Sequence, residues 1–188
     1  MKEVRKKLFG DHDPYRRLKK MRQDLQGWET SDSKAFEIII NQIKPRLIVE
    51  VGSWKGRSAI NMAKLCLKHH KDFELVCVDT WLGSVEHWLK VDKNLSEKSF
   101  ENGRPNIYQQ FLSNVVHNDL EDYITPFPID SINGAITLEA LEVQADLVYI
   151  DAGHEYLSVK NDLYQASLIV RQGGYLLGDD FFYGPVAS

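Results

Sequence analysis

An α/β fold built on a doubly wound, mostly parallel sheet is the architecture this sequence predicts. Three observations predict it. Short apolar runs without alternation recur along the chain, as strands buried on both faces require. Segments with apolar residues at helical spacing fall between those runs. Glycines and acids punctuate the ends of the runs, where a strand must turn into a helix. With 188 residues, 43% of them apolar and 27% charged, the chain is long enough for one substantial core.

Taken in order, Phe36, Ile39, Ile40 and Ile43 sit at helical spacing in 33–43, and Pro45 closes that segment. Residues 47–51 form the first buried strand, which Gly52 ends. A helix over 58–67 and a second strand over 75–78 follow. The segment 82–107 is polar and irregular, holds Trp88, Phe100 and Arg104, and reads as an insertion or lid. Residues 108–116 predict a helix, 124–129 a third strand, 138–143 a short helix or turn, and 147–150 a fourth strand. A helix over 157–170 and a fifth strand over 175–177, introduced by Gly173 and Gly174, complete the alternation. The domain reading is an N-terminal helical arm, 1–45, and a core, 46–188.

The net charge of −4 hides an asymmetry. Residues 1–22 carry nine Lys/Arg against three acids, a net of +6, which leaves −10 for the remainder. An acidic body speaks against nucleic acid as a partner. The basic start (Lys6, Lys7, Arg16, Arg17, Lys19, Lys20) reads as a solvated helix face, the competing reading being a nucleic-acid or membrane arm. Cys66 and Cys77 lie in apolar stretches and read as core thiols of a reducing compartment. With no signal-like apolar stretch and no run of membrane-spanning length, a cytoplasmic protein with no membrane partner is expected.

Chemistry in such a sheet gathers at the carboxyl ends of its strands, near the point where strand order reverses. The first strand ends in Glu50-Val51-Gly52-Ser53-Trp54-Lys55-Gly56-Arg57-Ser58. That E-x-G-x-x-x-G spacing is not the G-x-G-x-x-G of dinucleotide binders. An acid near the turn suits a ligand carrying ammonium or sulfonium, although a tight turn without ligand has the same look. The second strand ends in Asp79-Thr80-Trp81, an acid able to accept from both hydroxyls of a ribose beside an aromatic able to cover an adenine. Asp130-Ser131 after the third strand either meets the adenine edge or caps the next helix. The fourth and fifth strands end in Asp151-Ala152-Gly153-His154 and Gly178-Asp179-Asp180. Three carboxylates crowded at neighbouring ends repel, which a divalent cation such as Mg2+ or Mn2+ would relieve. A turn cap or a bound proton would relieve it as well.

With these motifs assembled, residues 47–182 resemble the class I methyltransferases, and within them the metal-dependent O-methyltransferases of the catechol and macrocin or aminocoumarin-sugar types. The resemblance implies a Rossmann-like sheet, S-adenosylmethionine as cofactor and a small-molecule hydroxyl, sugar or phenolic, as acceptor. It places Glu50, Gly52, Ser53, Gly56 and Ser58 at the methionine half, Asp79, Thr80 and Trp81 at the ribose and adenine, and Asp130 and Ser131 near the adenine. Asp151, which also lies beside the cofactor, joins Asp179 and Asp180 as metal ligands, and either His154 or Asp151 is the base. The family sheet has seven strands and five are found here, so strands six and seven are expected to be lacking, the chain being a fragment or completed by a second subunit in a homodimer. The alternatives are a non-catalytic or truncated cofactor-binding module and a nicotinamide-dependent oxidoreductase, the latter lacking its glycine fingerprint.

Overall fold

The computed structural model describes residues 2–26, 31–89 and 100–179, without the side chains of 31–33 and Glu86. Helices α1 (Glu3–Phe9) and α2 (Ser31–Ile43) precede strand β1 (Leu47–Val51), helix α3 (Arg57–Leu67) and strand β2 (Glu74–Asp79). A short helix α4 (Val85–Trp88), two two-residue strands β3 (Phe100–Glu101) and β4 (Arg104–Pro105), and helix α5 (Ile107–His117) follow. The chain then alternates through β5 (Ile124–Pro128), α6 (Ser131–Ala140), β6 (Ala145–Ile150), α7 (Tyr156–Ile169) and β7 (Val170–Gly178).

The main sheet runs β5-β2-β1-β6-β7, with all four pairings parallel, and β3 and β4 make a separate antiparallel ribbon. The order reverses between β1 and β6, so the crevice that a doubly wound sheet opens at its switch point lies there. Each buried strand is apolar on both faces because each face meets a different helix layer. Ile48, Leu75, Cys77, Ile124, Leu147 and Tyr149 share a core with residues of α2, α3 and α5. Val49, Val76, Val78, Val148 and Ile150 face residues of α6 and α7.

The expectation that strands six and seven are lacking is overturned: the described residues hold seven strands, and the sixth and seventh, β6 and β7, which contain the segments expected as the fourth and fifth, form one side of the main sheet. The count fell short because β3 and β4, two residues each in a polar segment, are too short to show any hydrophobic period. The last strand is also longer than the expected 175–177. Ala145 pairs with Val170 but Leu147 with Tyr175, a bulge that absorbs the extra residues. Gly174 sits inside it, where a Cβ would come within 3.0 Å of Arg171 O. The glycines that looked like a strand start are the bulge itself.

Before α2, the basic N-terminal residues divide. Arg5 is buried: its guanidinium donates to Thr125 Oγ1, Glu121 O and Ile124 O, while the backbone N–H groups of Val4 and Arg5 donate to Glu74. Lys6, Arg16, Arg17, Lys19 and Lys20 are exposed. Residues 18–26 are not helical but run without regular secondary structure along α5. Among the described residues no helix is long and apolar enough to cross a membrane.

Candidate functional site

The motif after β1 folds as a left-handed elbow. Gly52 and Gly56 both hold φ +84°, and the non-glycine Trp54 between them holds φ +46°. Gly52 also marks the closest approach at the switch point, since a Cβ there would lie 2.0 Å from Asp151 O. Gly56 provides the turn from which α3 starts.

Beneath the elbow, Glu50 is a carboxyl on a central strand with no exposure at all. Ser53 Oγ and Ser58 Oγ donate to its two oxygens at 2.5 Å each, and the Cys77 thiol lies 3.5 Å away. Burying a carboxyl requires such partners. Burial nevertheless pushes Glu50 from its ordinary 4.5 up to about 7, with the two serine hydroxyls and Cys77 opposing and the nearby Asp79 adding to the rise. Between those values the folded chain holds a proton that the unfolded chain releases. Stability of the ligand-free protein therefore falls as pH rises through that window, by up to about 3 kcal/mol. Glu50→Gln should flatten this dependence and leave the protein more stable than the parent at pH 8. Urea midpoints from pH 5 to 8 that run parallel for the two proteins would remove Glu50 as the cause.

Asp79 closes the elbow from the end of β2. Its Oδ2 accepts from Ser53 N and Trp54 N, both at 2.8 Å, and its Oδ1 from Trp81 N at 2.6 Å. Burial raises its carboxyl above the ordinary range against the pull of those N–H groups. Thr80 is exposed and accepts from Leu82 N. Trp81 lies in the core at 1% exposure, its ring packed against Tyr108 and Phe111. Its indole N–H donates to Trp54 O at 2.8 Å, so it braces the elbow from below.

Asp130 caps α6, accepting from Asn133 N at 2.9 Å and Asn133 Nδ2 at 2.7 Å, and these bonds hold its carboxyl below the usual range. Ser131 is hydrogen-bonded to the buried Asp162 of α7. Of the two readings open for this pair, the contact present is the cap, made by Asp130. Asp151 and Asp179 stand at the ends of the adjacent β6 and β7, where Asp179 N donates to Ile150 O, and the Tyr149 hydroxyl donates to Asp179 at 3.1 Å. Half-buried His154 follows in the β6–α7 loop. Asp180 lies outside the described residues, and among those described no cluster of three or more potential metal ligands occurs.

Several contributors were not singled out in the sequence. Cys77 contacts Glu50, Tyr149 contacts Asp179, and His87 of α4 stacks on Trp54 with ring centroids 4.1 Å apart. Asn114, fully buried on α5, donates to Lys55 O within the elbow. The polar pair Ser113–Asn114 set between Phe111–Leu112 and Val115–Val116 was the available signal for Asn114. Trp88, mentioned in the insertion, is half exposed and donates to Leu82 O, and Arg104 is exposed.

A family model described as a methyltransferase domain matches residues 49–181, and the chain belongs to that family. Its fold is also that of solved structures of low sequence identity. An O-methyltransferase from Bacillus cereus, in complex with SAH, has 18% identity and a TM-score of 0.61 over 85% of this chain and 61% of its own. The O-methyltransferase TomG from Streptomyces achromogenes, involved in tomaymycin synthesis and in complex with SAM, has 15% identity and a TM-score of 0.61 over 84% of this chain and 59% of its own. Cofactor-bound Rv0187 from MTB has 16% identity and the same TM-score over 96% of this chain and 71% of its own. The chain thus spans about three-fifths of the length of the first two. No curated protein sequence matches it.

Proposed function

We propose that the chain binds S-adenosylmethionine and transfers its methyl group to a hydroxyl of a small molecule, a sugar or a phenol, with a divalent cation holding the acceptor. The observation that carries this reading is the elbow. Buried Glu50 orients the Ser53 and Ser58 hydroxyls while Asp79 gathers the elbow's N–H groups, at the ends of two adjacent strands beside the switch point. Membership of the family and the SAM- and SAH-bound neighbours support it.

Held by the elbow and Asp79, S-adenosylmethionine would supply an electrophilic methyl carbon to the acceptor oxygen, whose lone pair would form the new bond as the carbon–sulfur bond breaks and the electron pair stays with the thioether of S-adenosylhomocysteine. The hydroxyl proton passes to His154 or Asp151, both in the segment that follows β6 beside Gly52. Asp151 and Asp179 are oxygen donors on neighbouring strand ends, the donor type Mg2+ or Mn2+ takes. Bound there, the cation would lower the pKa of the acceptor hydroxyl.

Calorimetric titration with S-adenosylmethionine, S-adenosylhomocysteine and NAD, with and without Mg2+, tests the cofactor reading, and methyl transfer to a panel of hydroxyl compounds tests the activity. Saturable binding of S-adenosylhomocysteine and none of NAD is the expected result, whereas NAD binding alone would overturn it. Asp179→Ala should abolish the response to Mg2+ while S-adenosylhomocysteine affinity stays within about twofold. The reverse pattern would mean that the two subsites are exchanged.

A further inference from the structure

The elbow is gripped from two sides, and the outer grip belongs to neither the sheet nor the motif. On the sheet side Asp79 takes the Ser53 and Trp54 N–H groups, and Trp81 donates to Trp54 O. On the outer side stands Asn114, in the middle of α5 and fully buried. Its Nδ2 donates to Lys55 O at 2.8 Å and to Asp24 O at 2.7 Å, and its Oδ1 accepts from Asp24 N at 2.9 Å and Gln110 Nε2 at 3.0 Å. One amide thus joins an elbow carbonyl to the Asp24 segment, which lies 90 residues from Asn114 in sequence. Lys55, only 8% exposed, makes a second tie across the same gap, its Nζ reaching Asp24 Oδ2 at 2.7 Å and also Gln26 Oε1. A lysine is seldom buried without such a partner.

The elbow needs a hold of this kind. Trp54 sits at positive φ, a conformation that costs a non-glycine residue energy and persists only where its surroundings over-determine it. When a ribose takes up Asp79, the sheet-side hold on the Ser53 and Trp54 amides is shared with the ligand, while the outer ties are untouched. We infer that Asn114, Asp24 and Lys55 are positioning residues, which keep the 53–56 backbone in the shape that receives the methionine end of the cofactor. The inference rests on the S-adenosylmethionine reading above and adds to it Asn114 and Asp24, which lie outside the cofactor motif, and Lys55, a motif residue to which that reading gave no role.

The test is S-adenosylhomocysteine titration of the wild-type chain and of Asn114→Leu, Lys55→Met, Asp24→Asn and Asp24→Glu, paired with amide hydrogen exchange of each protein without ligand. Asn114→Leu and Lys55→Met should raise the dissociation constant about tenfold, and Asp24→Glu should remain within about twofold of wild type. The Lys55→Met/Asp24→Asn double variant should lose no more than Lys55→Met alone, since the Lys55–Asp24 contact that Asp24→Asn weakens is already gone in Lys55→Met. Exchange of the elbow amides should quicken about tenfold while that of β1 is unchanged, a local loosening that general destabilisation does not produce. Should Asn114→Leu fail to fold, the Lys55 and Asp24 variants decide the matter. Unchanged affinity and unchanged elbow exchange in those variants overturn the inference, even with wild-type binding intact. A wild-type chain that binds no S-adenosylhomocysteine overturns the cofactor reading instead, and elbow exchange then decides the positioning role alone.

Discussion

Gly52→Ala should destabilise the protein by on the order of 4 kcal/mol and abolish cofactor binding. Two costs add at this one position. The backbone holds φ +84°, which disfavours any residue with a Cβ, and that Cβ would lie 2.0 Å from Asp151 O, 2.5 Å from Asp151 C and 2.7 Å from Ala152 Cα. All three are backbone atoms, and neither wall can step aside freely. Gly52 N donates to Val78 O and Asp151 N donates to Val51 O, so relief of the clash breaks the hydrogen bonds that align the ends of β1, β2 and β6. Gly103 is the control: it has φ +77° but nothing within 4 Å of a Cβ, and Gly103→Ala should show the conformational cost alone, about 1 kcal/mol. Urea midpoints for the two variants check the contrast, and similar losses at both would show that the close approach to Asp151 carries no weight.

Asp79→Ala should weaken S-adenosylhomocysteine binding about a hundredfold, or near 3 kcal/mol. The bidentate bond to a ribose that the proposed function gives to Asp79 is one part of this, on the order of 2 kcal/mol. The structure adds another, because the same carboxylate accepts from three backbone N–H groups, those of Ser53, Trp54 and Trp81. Its removal leaves them unpaired in a part-buried site and frees the elbow that the ligand must find preformed. The stability of the ligand-free chain should therefore fall together with affinity, a pairing that a residue touching only the ligand would not give. Calorimetry and thermal unfolding of one preparation measure both. Unchanged affinity would remove Asp79 from the site.

The parts of the site legible in the sequence are those whose chemistry and local geometry coincide. Gly52 and Gly56 stand where the chain turns left-handed, and Glu50 and Asp79 close consecutive strands, so motif spacing alone places them together. Trp81 was not legible in this way. An aromatic after a strand end serves equally for covering a ligand or filling a core, and only the packing of Tyr108 and Phe111 from α5 around it decides. The Asp130–Ser131 pair was left between two roles because a helix cap and a ligand contact call for the same residue types there; in the structure Asp130 caps α6 through Asn133 and Ser131 is hydrogen-bonded to Asp162 of α7. The bulge in β7 escaped because paired glycines look alike at the start of a strand and inside one.

By itself the sequence determined the alternation of buried strands and amphipathic helices, the acid-and-glycine elbow, and the order in which carboxylates arrive at strand ends. These are properties of neighbours along the chain, where hydrophobic period and backbone preference act. Tertiary structure alone decided that Glu50 is sealed from solvent between two serine hydroxyls and a thiol, and that Trp81 braces the elbow from below. It also brought Asn114 to bridge Asp24 and Lys55. Each of these depends on which distant side chain fills the space beside a polar atom, and no local pattern encodes that partner.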